Sequence, residues 1–219
     1  MLILGIDDAG RGPLIGPMIL AGVLMTKQQE LKIKKAGAKD SKLLVHSIRV
    51  SLSNLIINNS ISHKILSSSP EEIDSSENLN TLEAKKSAEI INDLNTKKDK
   101  ILVIVDCPST NISAWKRTLL SFVAYKDNLE IKCEHKADYN YPAVSAASIL
   151  AKVARESEVL KIKKKYGNIG SGYPSDPTTI KFLEENGKKL SGEGIFRKSW
   201  ATWKKLFPEN KKQTTLQDF

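Results

Sequence analysis

Short apolar runs alternate along the chain with longer stretches of mixed polarity, and this alternation predicts an α/β fold. Brief, β-branched apolar runs that end at polar or turn residues are typical of buried strands. A Gly-rich turn after the first run is expected to pair the first two strands. The predicted strands are residues 1–6, 17–25, 61–66, 101–105 and 129–133.

The stretches between these runs carry apolar residues at helical spacing. The predicted helices are residues 42–57, 79–94, 112–122, 144–166, 178–187 and 198–207, with a loop rich in Gly, Pro and Ser over 167–177. This order divides the chain into an α/β domain over residues 1–170, a helical C-terminal region over 171–208 and a flexible tail over 209–219.

Charge is distributed unevenly along the 219 residues. The chain has 34 Lys+Arg against 25 Asp+Glu, a net charge of +9, and residues 152–212 alone hold 15 basic and 7 acidic residues. A basic surface attracts phosphate backbones whatever their sequence. For the charge excess alone, a solvated lysine-rich helical face is an equally good interpretation.

The sequence lacks the features of several classes of protein. No apolar run approaches the roughly 18 residues that a membrane span needs, and the first residues lack the basic segment of a secretory signal. Two cysteines, Cys107 and Cys133, do not make a disulfide framework. We therefore expect a cytoplasmic protein with no membrane partner.

Four aspartates form the candidate centre for chemistry. Asp7 and Asp106 directly follow apolar runs, Asp138 stands in the segment that leads into the predicted helix at 144–166, and Asp8 is the fourth acid. Ligand sites of open α/β sheets lie outside the strand ends, and carboxylates gathered there repel one another unless Mg²⁺ or Mn²⁺ neutralises them. Such a set suits a two-metal phosphodiesterase, although each acid alone is better explained by a helix cap or turn.

The turn Gly10-Arg11-Gly12-Pro13 follows the first pair of acids. Its glycines allow the backbone to approach a ligand closely, and Arg11 could clasp a phosphate or pack on a sugar. A plain hairpin turn is the alternative. Dinucleotide binding is disfavoured, because the glycine spacing is wrong, Pro13 interrupts it and the adjacent acids would repel a pyrophosphate.

Further motifs occur in order along residues 1 to about 208. They are residues 5–17 (GIDDAGRGPLIGP), 40–43 (DSKL), 103–106 (VIVD), 136–138 (KAD), 144–155 (VSAASILAKVAR) and 170–177 (GSGYPSDP). In these motifs the chain resembles the ribonuclease HII family, with the spacing of its archaeal branch.

The resemblance implies an RNase H-like fold, in which helices flank a mixed sheet and a small helical C-terminal region follows the catalytic domain. It implies an endonuclease that cuts the RNA strand of RNA/DNA hybrids and nicks duplex DNA on the 5′ side of single ribonucleotides, by two-metal hydrolysis with Mg²⁺ or Mn²⁺. Its partners would be these nucleic acids, its context replication and repair, and we expect a monomer.

The resemblance also implies roles for individual residues. The metal ligands would be Asp7, Asp8, Asp106 and Asp138; Gly10, Arg11 and Gly12 would meet the ribose and its phosphates, Tyr173 would pack on the sugar, and Lys42, Lys152 and Arg155 would contact phosphates. Only the 2′-hydroxyl distinguishes RNA from DNA at one nucleotide, so close backbone approach there fits this chemistry. For Tyr173 a loop anchor, and for Lys42 a solvated helix start, remain alternatives.

One departure concerns Asp8, where the family usually has Glu. Adjacent strand residues point to opposite faces, so the longer Glu would reach back to the metals more easily. We expect a working but weaker second-metal site with a stronger preference for Mn²⁺.

The last seven residues, QTTLQDF, resemble the clamp-binding peptide of replication proteins. Gln213, Leu216 and Phe219 would fall on one side of a helical turn and bind the sliding clamp. The alternative is a disordered terminus with incidental apolar residues.

Two further functions stay open. One is a catalytically weakened hybrid-binding protein, which Asp8 would explain, and the other is a nuclease of the same fold that acts on DNA.

Overall fold

The computed structural model describes residues 1–37 and 45–208, and within these residues a mixed five-stranded sheet separates two layers of helices. The strands are β1 (Leu2–Ala9), β2 (Met18–Thr26), β3 (Ser62–Ser68), β4 (Ile101–Asp106) and β5 (Leu129–Glu134), in the order β3-β2-β1-β4-β5. Antiparallel pairs join β1, β2 and β3, while β4 and β5 run parallel to β1. The predicted mixed sheet is confirmed.

The helices observed in the described residues are α1 (Lys27–Lys35), α2 (His46–Asn59), α3 (Pro70–Ser75), α4 (Leu79–Leu94), α5 (Ile112–Phe122), α6 (Ala137–Asn140), α7 (Pro142–Tyr166), α8 (Pro177–Asn186) and α9 (Ala201–Leu206). Helices α4, α5, α7, α8 and α9 confirm predicted helices to within a few residues. The predicted start of α2 at residues 42–44 lies outside the described residues.

Three short helices, α1, α3 and α6, do not appear in the prediction. Helix α1 is strongly polar and buries only Glu30 and Ile33, so its apolar periodicity is weak. Its start nevertheless carries a capping box, in which Thr26 accepts from the Gln29 amide and the Gln29 side chain accepts from the Thr26 amide. Capping chemistry, not periodicity, was the signal for this helix.

The first strand is longer than its apolar run. We expected Asp7 and Asp106 to come after their strands, but β1 continues through Asp7 and Asp8, and β4 ends with Asp106 itself. The cause is β2, which pairs Ala21 with Asp7 and Leu20 with Asp8. The two adjacent aspartates therefore have strand geometry, with side chains that start towards opposite faces of the sheet.

The long helix α7 lies directly on β1. A Cβ atom at Gly5 would stand 2.2 Å from the carbonyl carbon of Ala143, so only glycine permits this approach. The first turns of α7 bury small residues such as Ala146 and Ala147 against the same face, whereas α4 and α5 cover the opposite face. Close packing of α7 fixes the position of the β1 end that carries the aspartates.

The C-terminal region packs on the segment that follows the Gly-rich turn. Leu14 and Ile15 are fully buried in an apolar cluster with side chains from α7, α8 and α9. A backbone bridge pairs Ile15 with Phe196. Within the described residues, no helix combines the length and apolar character that crossing a bilayer requires.

Candidate active site

The predicted acids gather at one edge of the sheet, which we term the acid edge (Asp7, Asp8, Asp106 and Asp138). Parallel pairing aligns Ile6 with Val105, so Asp7 and Asp106 are the next residues on neighbouring strands. The Asp106 Oδ1 atom accepts a 2.9 Å hydrogen bond from the Ala137 amide, which holds α6 and its Asp138 beside Asp106. Asp7 and Asp138 are both buried.

The electrostatics of the acid edge favour a cation. Burial raises the pKa of Asp7 well above its ordinary value, and the charges of Asp8 and Asp106 raise it further. Burial also raises the pKa of Asp8 to about 6, with Arg11 opposing the shift and Asp106 adding to it. Ionised carboxylates here repel one another in a poorly solvated place, so a bound cation would lower their free energy.

The donor set fits a hard divalent metal ion, because it consists of carboxylate oxygens at one edge with excess negative charge. Among residues 1–37 and 45–208, however, no three acidic, His or Cys side chains already converge as a metal cluster. The fit therefore depends on the oxygen donors and their charge, and the side chains have to adjust when an ion binds.

A cavity of about 370 Å³ opens beside Asp8. Asp8 is the member of the acid edge in its lining, which also contains the predicted substrate residues Gly10, Arg11, Gly12, Lys152, Arg155 and Tyr173. Six of the seven predicted substrate-binding residues thus surround one space. Lys42, the seventh, lies outside the described residues, as do the tail residues Gln213, Leu216 and Phe219.

Arg155 lines this cavity. Its guanidinium carbon lies 5.3 Å from the centre of the Tyr173 ring. Gly10 is the reason that Arg155 fits, since a Cβ atom there would stand 2.4 Å from the Arg155 Cδ atom. The Nε and Nη2 atoms are buried against the protein, so what Arg155 contributes to the cavity is positive charge at its wall.

The guanidinium of Arg11 is engaged on the α4 side of the turn. It forms an ion pair with Glu83, and its Nη2 atom donates a 2.8 Å hydrogen bond to the Asn80 side chain. Glu83 is almost fully buried. Because the Arg11 side chain is held by Glu83 and Asn80, we expect the backbone of the turn, and not this side chain, to contact a ribose.

Sequence reasoning missed four residues that hold this turn, namely Asn80, Glu83, Arg197 and Trp200. Glu83 carries one sequence signal, because it stands among buried positions of an amphipathic helix where a charge is unexpected. Arg197 follows the apolar pair Ile195 and Phe196, but nothing in the sequence connects it with residues 10–12.

A mixed sheet flanked by helices, with aspartates side by side on adjacent strands, is the RNase H fold. The family model described as Ribonuclease HII matches residues 4–203. The chain belongs to the ribonuclease HII family. It has ribonuclease H endonuclease activity, and the family depends on divalent metal ions.

Individual relatives agree with this family and with its archaeal branch. Ribonuclease HII of Pyrococcus furiosus is 43% identical over 224 residues, which cover 100% of this chain and 98% of that protein. The crystal structure of ribonuclease H2 from Pyrococcus horikoshii OT3 is 37% identical with a TM-score of 0.85, covering 94% of this chain and 97% of that chain. The matching chain in the structure of the PCNA:RNase HII complex from Archaeoglobus fulgidus is 37% identical with a TM-score of 0.79. The match covers 91% of this chain and 95% of that chain.

Proposed function

We propose that this enzyme cuts the RNA strand of RNA/DNA hybrids and nicks duplex DNA on the 5′ side of a single ribonucleotide. The observation that carries the proposal is the cavity that Asp8 shares with Gly10, Gly12 and Tyr173. A nucleotide in this cavity would have its ribose against the glycine turn and its phosphate against the acid edge. Selection of the sugar and cleavage would then occur on one nucleotide.

The reaction is hydrolysis of a phosphodiester. Water adds across the bond between phosphorus and O3′, so that its oxygen joins phosphorus, a hydrogen goes to O3′, and a 3′-hydroxyl and a 5′-phosphate result. Asp7, Asp8, Asp106 and Asp138 would hold Mg²⁺ or Mn²⁺, which in two-metal sites activate the water and stabilise the leaving oxygen.

The other residues of the cavity bind and orient the substrate. Arg155 lines the cavity with its positive charge, which supports a contact with a phosphate next to the scissile one. Lys152 lines the same cavity and adds positive charge. A Cβ atom at Gly12 would already stand 3.5 Å from the Tyr173 ring, so the bare backbone and the ring adjoin and the sugar would lie against both.

One set of duplexes tests the proposal. We expect nicking immediately 5′ to the ribonucleotide when a duplex carries a single one, cleavage of the RNA strand in a hybrid, and no cleavage of all-DNA duplex, each with Mg²⁺ or Mn²⁺. Binding without nicking would instead identify a weakened hybrid-binding protein. Cutting of the all-DNA duplex would identify a nuclease of the same fold that acts on DNA.

We also propose that the tail binds a sliding clamp. The support is the sequence of residues 213–219 together with the PCNA complex of the Archaeoglobus fulgidus relative. Replacing Leu216 and Phe219 by Ala should abolish binding to the clamp and leave nicking of free duplex unchanged. Replacing Thr214 and Thr215 by Ala is the matched control, because these positions are not among the three that the proposed motif uses. Clamp binding that survives the first change would contradict the proposal.

A further inference from the structure

The guanidinium of Arg197 is buried behind the glycine turn. Its side chain is fully enclosed, at 0% exposure. Its Nη2 atom donates to the Gly10 carbonyl oxygen at 2.6 Å, Nη1 to that of Arg11 at 2.8 Å, and Nε to that of Gly16 at 3.0 Å. One side chain therefore fixes the carbonyl groups of residues 10, 11 and 16.

Placing a full charge in the interior is costly unless hydrogen bonds compensate it. The donors of Arg197 are directed to carbonyl oxygens, and across residues 1–37 and 45–208 no carboxylate forms an ion pair with it. A rigid, planar fork can satisfy three such acceptors at once, whereas the flexible ammonium of a lysine cannot reproduce its geometry. The residue type is thus matched to the shape of the turn.

Trp200 holds the next carbonyl. Its Nε1 atom donates to the Gly12 carbonyl oxygen at 3.2 Å, and its ring centre lies 5.0 Å from the Arg197 guanidinium carbon. The backbone of Arg197 is itself fixed, because its amide donates to the Leu14 carbonyl oxygen at 2.9 Å. All three carbonyls of residues 10–12 are therefore directed towards the C-terminal region.

Peptide geometry then decides where the amides point. No peptide bond of the described chain is cis, and in a trans peptide the N–H lies opposite the preceding carbonyl. Since the carbonyls of Gly10 and Arg11 face Arg197, the amides of Arg11 and Gly12 face away from it. Neither amide donates to another group in the described part of the chain, and both residues line the cavity beside Asp8.

We propose that Arg197 and Trp200 are positioning residues for ribose recognition. From behind the turn they hold its carbonyls, and so they direct the amides of Arg11 and Gly12 at the oxygen atoms of the ribonucleotide. The inference rests on the proposed function, because it needs a ribonucleotide in the cavity. It makes the C-terminal region a part of the recognition site.

Selectivity in binding separates positioning from simple structural support. A variant with fewer folded molecules binds every duplex more weakly by the same factor, so its preference for a ribonucleotide is unchanged. A variant with a misdirected turn loses affinity for the ribonucleotide alone. The informative quantity is the ratio of the Kd for an all-DNA duplex to the Kd for the same duplex with one ribonucleotide.

The full chain is tested in an Asp106→Asn background, which removes a proposed metal ligand and so prevents cleavage during binding. Arg197→Lys keeps the charge but loses the fork, and Trp200→Phe keeps the ring but loses the donor. Trp203→Phe is the matched control, because Trp203 packs on Phe196 and Phe207 in the same region without bonding to the turn.

We expect Arg197→Lys to lower the ratio of the two Kd values by about fivefold or more, and Trp200→Phe to lower it by about twofold. Changes of this size are what the loss of hydrogen bonds of ordinary strength predicts. Trp203→Phe should leave the ratio unchanged. An unchanged ratio in both test variants would overturn the inference, and Trp200→Phe decides the question if Arg197→Lys does not fold. Absence of any ribonucleotide preference in the Asp106→Asn parent, with no nicking by the native chain, would refute the proposed function itself.

Discussion

The acid edge and the glycine turn are neighbours, yet they differ in how their buried charges are compensated. At the acid edge, burial and the charges of Asp8 and Asp106 raise the pKa of Asp7, and they outweigh the hydrogen bonds from Ser148 and the Asp8 amide that lower it. Behind the turn, a buried guanidinium is satisfied by three carbonyl oxygens of the chain itself. The first region is completed by a cation from outside, whereas the second already contains its cation.

This difference explains how one small site can be both reactive and selective. A metal site must stay open to ions and substrate, so its carboxylates keep part of their mutual repulsion until an ion binds. A site that recognises one hydroxyl must be rigid before the substrate arrives, so its donors are fixed from behind. Changes in the first region should therefore affect cleavage, and changes behind the turn should affect selectivity.

The largest effect is expected from Asp106→Asn. The change removes a carboxylate that faces Asp7 and Asp8, so kcat for nicking should fall by roughly a hundredfold or more. The melting temperature of the metal-free protein should rise, because one source of repulsion is gone. Asp127→Asn, at an exposed position with the same change in charge, is the control. Equal melting temperatures for the native and Asp106→Asn chains would show that the acid edge is not strained.

A smaller effect, of opposite sign, is expected from Asp8→Glu. The extra methylene lets the carboxylate reach back from its face of β1 towards Asp7, so cleavage with Mg²⁺ should rise about threefold and the preference for Mn²⁺ should weaken. Rates with each metal, measured over a range of concentrations, check this. A tenfold or greater drop in the Glu variant would contradict it.

Glu83→Gln tests the α4 side of the turn. The ion pair with Arg11 loses its charge but keeps an acceptor, so the free energy of unfolding should fall by about 1 kcal/mol, the interaction being screened on the exposed side of Arg11. Denaturant unfolding measures the change. Glu72→Gln affects the more exposed ion pair with Lys86 and should lower the free energy of unfolding by less. Equal decreases in the two variants would mean that burial of Glu83 does not strengthen its ion pair.

The smallest effect concerns pH and the loop that carries Tyr173. Hydrogen bonds from Ser171, and then from Thr178, lower the pKa of Asp176 to about 2. Because the pKa is lower in the folded state, ionised Asp176 stabilises the protein above pH 4, and this contribution is lost as the pH falls towards 2. Asp176→Asn should therefore melt at a lower temperature than the native chain at pH 7, and the difference should shrink as the pH falls from 4 through 2. A difference that stays constant over this range would assign the effect to packing.

Much of the fold could be predicted from the pattern of apolar residues, because buried strands and amphipathic helices leave strong periodic signals. The long helix α7 begins two residues before its predicted start, and β4 ends one residue after its predicted end. Helix α1 escaped prediction because its signal is a capping box in a polar segment. The extent of β1 escaped too, because pairing with β2, and not apolarity, carries the strand past Asp7.

Taken alone, the sequence determined the residue types of the site: four aspartates, a glycine turn and a basic C-terminal third, each tied to its chemistry by local pattern. Only the tertiary structure decided that Arg197, 187 and 186 positions away, holds the carbonyls of residues 10 and 11. The physical reason is that local spacing reports which groups a segment offers. The direction in which a backbone amide points depends on the distant group that binds the carbonyl on the other side of the peptide.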